Sequence, residues 1–81
     1  MPSPYDPEPI EVIATEGIPK AVNHRKRLLH VKEVLNMWRI DDQWWRKPIS
    51  RLYYLVEFTS GSRLTVFRDL TTGKWYRQNW V

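Results

Sequence analysis

Basic and aromatic side chains recur together in this sequence of 81 residues. A compact basic run stands at Arg25, Lys26 and Arg27, and arginines alternate with large rings in the last third of the chain. Guanidinium and ammonium groups bind phosphates, and aromatic rings stack on unpaired bases. The candidate contacts to nucleic acid are Arg25, Lys26, Arg27, Tyr53, Arg63, Arg68, Trp75 and Arg77.

Patterns for catalysis and metal binding are weak by comparison. The chain has no cysteine, so it forms neither a disulfide nor a thiolate metal site. His24 and His30 have no Asp at a metal-ligand spacing. Asp41 and Asp42 are neighbours, so on a strand they point to opposite faces and cannot share a proton. We expect a protein that is not an enzyme and that needs no metal or cofactor.

The charge is unevenly distributed along the chain. The net charge is +4, from 13 Lys and Arg against nine Asp and Glu. The first 19 residues hold four acids and no base, so residues 20–81 carry 13 − 5 = +8. A small domain with this excess attracts polyanions, of which nucleic acid is the usual one. The alternative is that the charge only keeps the protein soluble, because a net charge of this size is ordinary for a small domain.

The composition predicts one small domain behind a short leader. Four of the six prolines fall in residues 1–9, which predicts a flexible, acidic, extended segment because proline fixes φ and removes a backbone donor. Residues 10–81 then form a single domain. No apolar run reaches the roughly 18 residues of a membrane span, and the N-terminus lacks a signal-peptide pattern. These features favour a cytoplasmic protein without membrane contact.

Alternating apolar side chains predict a mostly β fold. We expect a small antiparallel sheet, or a partly open barrel of SH3-like or OB-like shape, that ends in a three-stranded meander. Residues 28–38 leave two alternatives open. Their apolar positions fit a short helix, and they also fit a strand with a break near Glu33. The β-rich surroundings favour the strand.

Two turns set the register of the predicted meander. The first is a two-residue loop that pairs Thr59 with Ser62, and the second pairs Asp69 with Lys74. Side chains then divide between two faces. An apolar face carries Leu52, Tyr54, Val56, Phe58, Phe67 and Tyr76. The opposite face carries Tyr53, Leu55, Leu64, Val66, Arg68, Trp75 and Arg77.

The second face has two interpretations. It is either a platform on which rings stack on bases while arginines hold phosphates, or the second side of the core in a small barrel. Large rings dominate the cores of small domains, which favours the second interpretation.

The tryptophans and their neighbours form a pattern of their own. It runs W-R, W-W, R-x-Y-Y, F-R-D and G-x-W, with motif positions at Trp38, Trp44, Trp45, Arg51, Tyr53, Arg68, Asp69 and Trp75. The pattern resembles a family of small bacterial proteins similar to the C-terminal tail of ImuB-type proteins, relatives of Y-family DNA polymerases. The resemblance covers residues 9–78.

This resemblance implies a link to DNA repair and mutagenesis, in which such tails are interaction regions. The chain has no polymerase domain, so synthesis activity does not carry over. The motif positions Trp38, Trp44, Trp45, Arg51 and Asp69 are interpreted as structural, with Arg51 and Asp69 pairing between two strands.

Two functions follow as expectations. The first is a non-catalytic module that binds nucleic acid, in particular single strands, with little sequence preference. The second is a module that binds a DNA repair protein, with an exposed tryptophan as anchor and no direct nucleic-acid contact. A minor regulatory or structural domain is a third alternative.

Overall fold

A computed structural model describes residues 7–44 and 47–78. The regular structure of these residues consists of seven strands and no helix, so they contain no helix long and apolar enough to cross a membrane. In chain order the strands are β1 (Glu8–Pro9), β2 (Glu11–Thr15), β3 (Ile18–His24), β4 (Arg27–Trp44), β5 (Lys47–Phe58), β6 (Arg63–Asp69) and β7 (Trp75–Arg77).

The strands form one antiparallel sheet in the order β1-β7-β6-β5-β4-β3-β2. Its two outermost strands, β1 and β2, are consecutive in the chain with only Ile10 between them. One continuous segment therefore pairs with β7 and then with β3, and the Ile10 amide donates to the Trp75 carbonyl at 3.2 Å. This arrangement curls the sheet into a half-barrel, which confirms the predicted small β domain.

Pairing begins slightly upstream of the predicted domain start at residue 10. Glu8 lies opposite Arg77, and Pro9 lies opposite Tyr76. Proline is tolerated at such an outer strand because its missing donor is not needed there. The remainder of the predicted leader, residues 1–6, lies outside the described residues.

The segment of residues 28–38 lies within β4, so the alternative of a short helix is wrong. The β4–β5 register shifts between Val31 and Glu33 and again between Val34 and Asn36, so the predicted break near Glu33 is present as a bulge. Each bulge adds a residue and displaces the side-chain alternation by one. Val31 and Val34 consequently share a face at a spacing that imitates a helix.

The core lies on the concave side of the sheet. Its buried side chains are Val22, Tyr54, Val56, Phe58 and Val66. Burying a side chain of this size stabilises the fold by about 1.5–3 kcal/mol. The Tyr54 hydroxyl crosses the concave face and donates to the Gly17 carbonyl at 2.9 Å, which holds the β2–β3 turn over the core. Burial raises the pKa of this hydroxyl.

The meander β5–β6–β7 is present, but its first loop is one residue longer than predicted. The Phe58 amide donates to the Ser62 carbonyl at 2.8 Å, and Gly61 adopts a φ of 92°. A three-residue loop with glycine in the left-handed region is a common alternative to the two-residue loop. The second turn is as predicted, because the Asp69 amide donates to the Lys74 carbonyl at 2.8 Å.

The longer loop changes the register of β5 by one residue. Tyr53 lies opposite Phe67 instead of Arg68, and Phe67 lies opposite Tyr76 as predicted. A shift of one residue exchanges the two faces of a strand. Tyr53 therefore lies on the convex face of the sheet, whereas Arg68 and Trp75 lie on the concave face.

An aromatic row crosses the convex face from β4 to β7. Its centroid distances are 5.4 Å from Trp38 to Tyr53, 4.9 Å from Tyr53 to Phe67 and 5.2 Å from Phe67 to Tyr76. The Arg51 guanidinium lies 4.6 Å from the Phe67 ring centre. Tyr53 and Phe67 are only 6% and 1% exposed, so large rings are buried on both faces of the sheet.

Candidate nucleic-acid interface

The β3–β4 turn presents the basic run at its tip. His24 pairs with Arg27, and the two residues between them, Arg25 and Lys26, have φ angles of 53° and 64°. Positive φ at both central positions defines a type I′ turn, in which Asn-Gly is favoured. A residue with a Cβ atom loses about 1–2 kcal/mol in this region. The chain thus keeps two cations at a turn where they strain the backbone.

None of these cations forms an ion pair with a carboxylate within the described residues. Within residues 7–44 and 47–78, ion pairs join Glu57 to Lys32 and to Arg63, at 3.9 and 3.2 Å, and Arg39 to Asp41, at 2.6 Å. None of them involves the β3–β4 turn. The three basic side chains of this turn are therefore exposed without a carboxylate at ion-pair distance, whereas Arg63 is paired with Glu57.

A cleft lies beside the basic turn. Its volume is about 380 Å³, and its lining residues are His24, Arg25, Arg27, Leu29, Ser60 and Ser62. The β5–β6 loop supplies the serines, whose hydroxyl oxygens are 3.0 Å apart. The Thr59 amide donates to the His30 carbonyl at 3.0 Å, which holds this loop against β4. Two arginines and a pair of serine hydroxyls, which share one hydrogen bond and leave one hydroxyl hydrogen to donate, line a cleft suited to an oxyanion.

Arg77 reaches the same end of the half-barrel from β7. Its guanidinium lies 2.7 Å from His24 Nε2. Arginine has only donors, so the imidazole accepts this hydrogen bond and is neutral. Burial lowers the pKa of His24, and the charges of Arg77 and Arg25 lower it further, against a raising effect of Glu8. His24 therefore orients Arg77 instead of adding a positive charge.

The remaining predicted contacts lie elsewhere. Tyr53 is buried in the convex aromatic row. Trp75 packs against the concave core, 5.6 Å from the Tyr54 ring. Arg68 is its cross-strand neighbour, and Arg68 Nε is buried without a hydrogen-bond partner in the described residues. The prediction that Tyr53 shares a face with Arg68 and Trp75 is wrong, because Tyr53 lies on the other side of the sheet. These three residues therefore do not form the joint platform that was one of the two interpretations of that face.

The motif residues of the sequence pattern have structural contacts where they are described. Arg51 lies opposite Asp69 in the β5–β6 ladder. Hydrogen bonds from the Thr71 hydroxyl and amide, at 2.6 and 2.9 Å, lower the pKa of Asp69, and the Arg51 charge contributes to the shift. Trp38 belongs to the aromatic row. Trp45 and the side chain of Trp44 lie outside the described residues.

Sequence reasoning missed the serines and His24 as partners of the basic run. A usable signal was present, because alternate turns of an up-and-down sheet lie at the same end. The H-R-K-R segment is the turn before β4, and the S-G-S segment lies in the turn after β5. The strands β4 and β5 are consecutive and are neighbours in the sheet. Because two strands separate these turns, both turns lie at the same end of the sheet, and this can be inferred once the strands are recognised.

Comparisons with known proteins give no match to this chain among family models, curated proteins or solved structures. The resemblance to ImuB-type tails stays a prediction from the sequence pattern. Within the described part of the chain, no three His, Asp or Glu side chains are grouped as a metal site would require.

Proposed function

We propose that this protein is a non-catalytic module that binds nucleic acid through its phosphate backbone, with little sequence preference. The basic turn of Arg25, Lys26 and Arg27 and the adjoining cleft form the binding site. The observation that supports the proposal is a set of three exposed cations, none in an ion pair within the described residues, beside a cleft that Ser60 and Ser62 also line.

The chemistry of the cleft favours a phosphate over other anions. Guanidinium groups bind phosphate oxygens through two parallel hydrogen bonds. The paired hydroxyls of Ser60 and Ser62, which also line the cleft, add one neutral donor. Phosphate contacts position a nucleic acid but carry no sequence information. A single strand is the expected form, because its flexible backbone can bring a phosphate into a cleft of this size.

Salt-dependent binding of a labelled single strand tests the proposal. Fluorescence anisotropy at about 50 and about 200 mM salt should show affinity that falls steeply with salt, with a log–log slope of about −0.7 for each phosphate neutralised. The double variant Arg25→Ala/Arg27→Ala should lose affinity and reduce the slope by about 1.4, from two lost contacts.

The matched control removes two cations from the opposite end of the half-barrel. Lys20→Ala/Lys74→Ala lowers the net charge by the same amount, so it should leave most of the affinity intact. If both double variants lost the same affinity, the binding would be a general effect of net charge and not of the basic turn. Undetectable binding at the lower salt concentration would refute the proposal.

A second candidate function, binding of a protein partner, is favoured by the concave face beyond the core. Met37 is 58% exposed there, and Leu52 lies between Arg39 and Arg68 across the strands. A partner with an apolar side chain and a carboxylate would cover Met37 and supply an acceptor to Arg68. Such a complex would respond weakly to salt and would be lost in Met37→Asp.

A further inference from the structure

Strand β4 has a long open edge. It is paired with β5 along one side, from Val31 to Trp44. On its other side β3 pairs only with residues 27–30, so no strand in the described residues pairs with that side beyond His30. Unpaired strand edges are templates for the addition of another strand, and proteins that keep them exposed usually protect them.

The segment from Asn36 to Trp44 is the regular part of this edge. Its pairing with β5 runs without a register shift, whereas both shifts lie before it. The Met37 amide donates to its neighbour's side chain, Asn36 Oδ1, at 2.9 Å, so this amide faces the open side. By the alternation of a strand, the amides of Arg39 and Asp41 face the same side.

We infer that the open edge of β4 pairs with the same edge of a second copy of this chain, antiparallel and about a two-fold axis at Ile40. The regular segment is symmetric about that residue, with four residues on each side. The axis places Arg39 opposite Asp41 of the partner subunit and Asp41 opposite the partner's Arg39. The self-complementary charge pattern selects this register over its neighbours.

Arg39 and Asp41 pair with each other within the chain at 2.6 Å, and Asp41 also accepts a hydrogen bond from Ser50. Both side chains are exposed, so they can exchange this pairing for the equivalent pairing between subunits. Ile40 is 41% exposed, and the side chains of Arg39 and Asp41 are 59% and 56% exposed. Ile40 would form a non-hydrogen-bonded pair with its counterpart, the type in which facing side chains lie closest. Arg39 and Asp41 would form hydrogen-bonded pairs, in which each charge keeps an opposite partner.

The contact is a single pair of strand edges, which is smaller than a standard stable interface. The dimer should therefore be weak and depend on concentration. Sedimentation velocity from about 5 to about 500 µM should show the sedimentation coefficient rising from that of a monomer to that of a dimer. A monomer throughout this range would overturn the inference.

Charge reversal tests the register. Arg39→Asp places two carboxylates opposite each other across the axis, and Asp41→Arg places two guanidinium groups opposite each other, so each single variant should remain monomeric. Mixing the two variants restores the opposite-charge pairing between subunits, and the mixture should form a heterodimer. The double variant Arg39→Asp/Asp41→Arg should form a homodimer like the original chain.

Unchanged dimers in both single variants, or no association on mixing, would refute this register. Circular dichroism before each run establishes that the variants are folded. Because the substituted side chains are exposed, the fold should tolerate them.

Discussion

Arg77 donates a hydrogen bond of 2.7 Å to His24 Nε2, although the two residues lie 53 positions apart in the chain. The contact joins β7 to β3, which are not neighbours in the sheet. It also holds the imidazole in its neutral form, because a protonated ring has no acceptor to offer. The geometry of this end of the half-barrel therefore depends on the protonation state of His24.

Stability should fall as the pH drops through the range in which histidine titrates. The pKa of His24 lies below the ordinary value of 6.5, so the unfolded chain binds this proton more tightly than the folded chain does. The stability present above pH 6.5 is then lost as the pH falls. The urea midpoint should decrease between about pH 7.5 and about pH 5.5.

His24→Gln is the matched variant for this pH dependence. Its side-chain oxygen accepts a hydrogen bond from Arg77 and does not titrate. Its urea midpoint should therefore change less over the same pH range. Asp41 and Asp69 also have a lowered pKa, but their ordinary value is 3.8, so they act at more acidic pH. If the urea midpoint decreased equally in the original chain and in His24→Gln, groups other than His24 would cause the pH dependence.

Replacing the strained basic turn should separate stability from binding. In Arg25→Asn/Lys26→Gly the type I′ turn receives its preferred residues, so the free energy of unfolding should rise by about 1–2 kcal/mol. Loss of two cations should weaken nucleic-acid binding at the same time. Urea unfolding and anisotropy measure the two effects.

The control for this variant is Glu16→Asn. Glu16 has a φ of 54° in the β2–β3 turn, at the opposite end of the half-barrel, and asparagine tolerates that conformation better. The substitution should raise stability without weakening nucleic-acid binding. Reduced stability in Arg25→Asn/Lys26→Gly would argue against strain in the basic turn.

Tyr53 should contribute to stability and not to binding. Tyr53→Ala removes the central contact between Trp38 and Phe67 in the convex row, and a lost core ring costs about 3–5 kcal/mol. Thermal unfolding should show a large decrease in Tm, whereas Met37→Ala, at an exposed position, should change it little. At temperatures where Tyr53→Ala is folded, it should keep its nucleic-acid affinity. A loss of affinity with an unchanged Tm would show instead that Tyr53 is a binding residue.

The hydrogen bond between Tyr54 and Gly17 should stabilise the β2–β3 turn. Tyr54→Phe removes only the hydroxyl that donates to the Gly17 carbonyl, so we expect a loss of about 0.5–1.5 kcal/mol. Hydrogen exchange should increase most at the β2–β3 turn. A uniform increase over the whole sheet would show instead that the turn does not open on its own.

The strand content and the meander were predictable from the sequence because alternation and turn residues are local signals. The bulges of β4 were only partly predictable. Val31 and Val34 have a helical spacing in the sequence, and only pairing with β5 shows that a bulge produces it. The break near Glu33 was found because the strand pattern itself fails there.

The assignment of β5 side chains to the two faces of the sheet depends on whether the β5–β6 loop has two or three residues. The segment from Thr59 to Ser62 fits both a two-residue and a three-residue hairpin loop, and the choice moves Tyr53 from one face to the other. Sequence alone does not decide between them, because each assigns several large apolar side chains to a face. The basic run was found from charge alone, whereas the strain at Arg25 and Lys26 is a property of the backbone.

The continuity of β1 and β2 has a consequence for the order of folding. Each neighbouring hairpin from β2 to β7 closes a short loop, but the pairing of Glu8 with Arg77 joins opposite ends of the described chain. Closing so long a loop carries the largest entropy cost of any pairing in the sheet. The hairpins should therefore form first, and the union of β1 with β7 should be the late, rate-determining event.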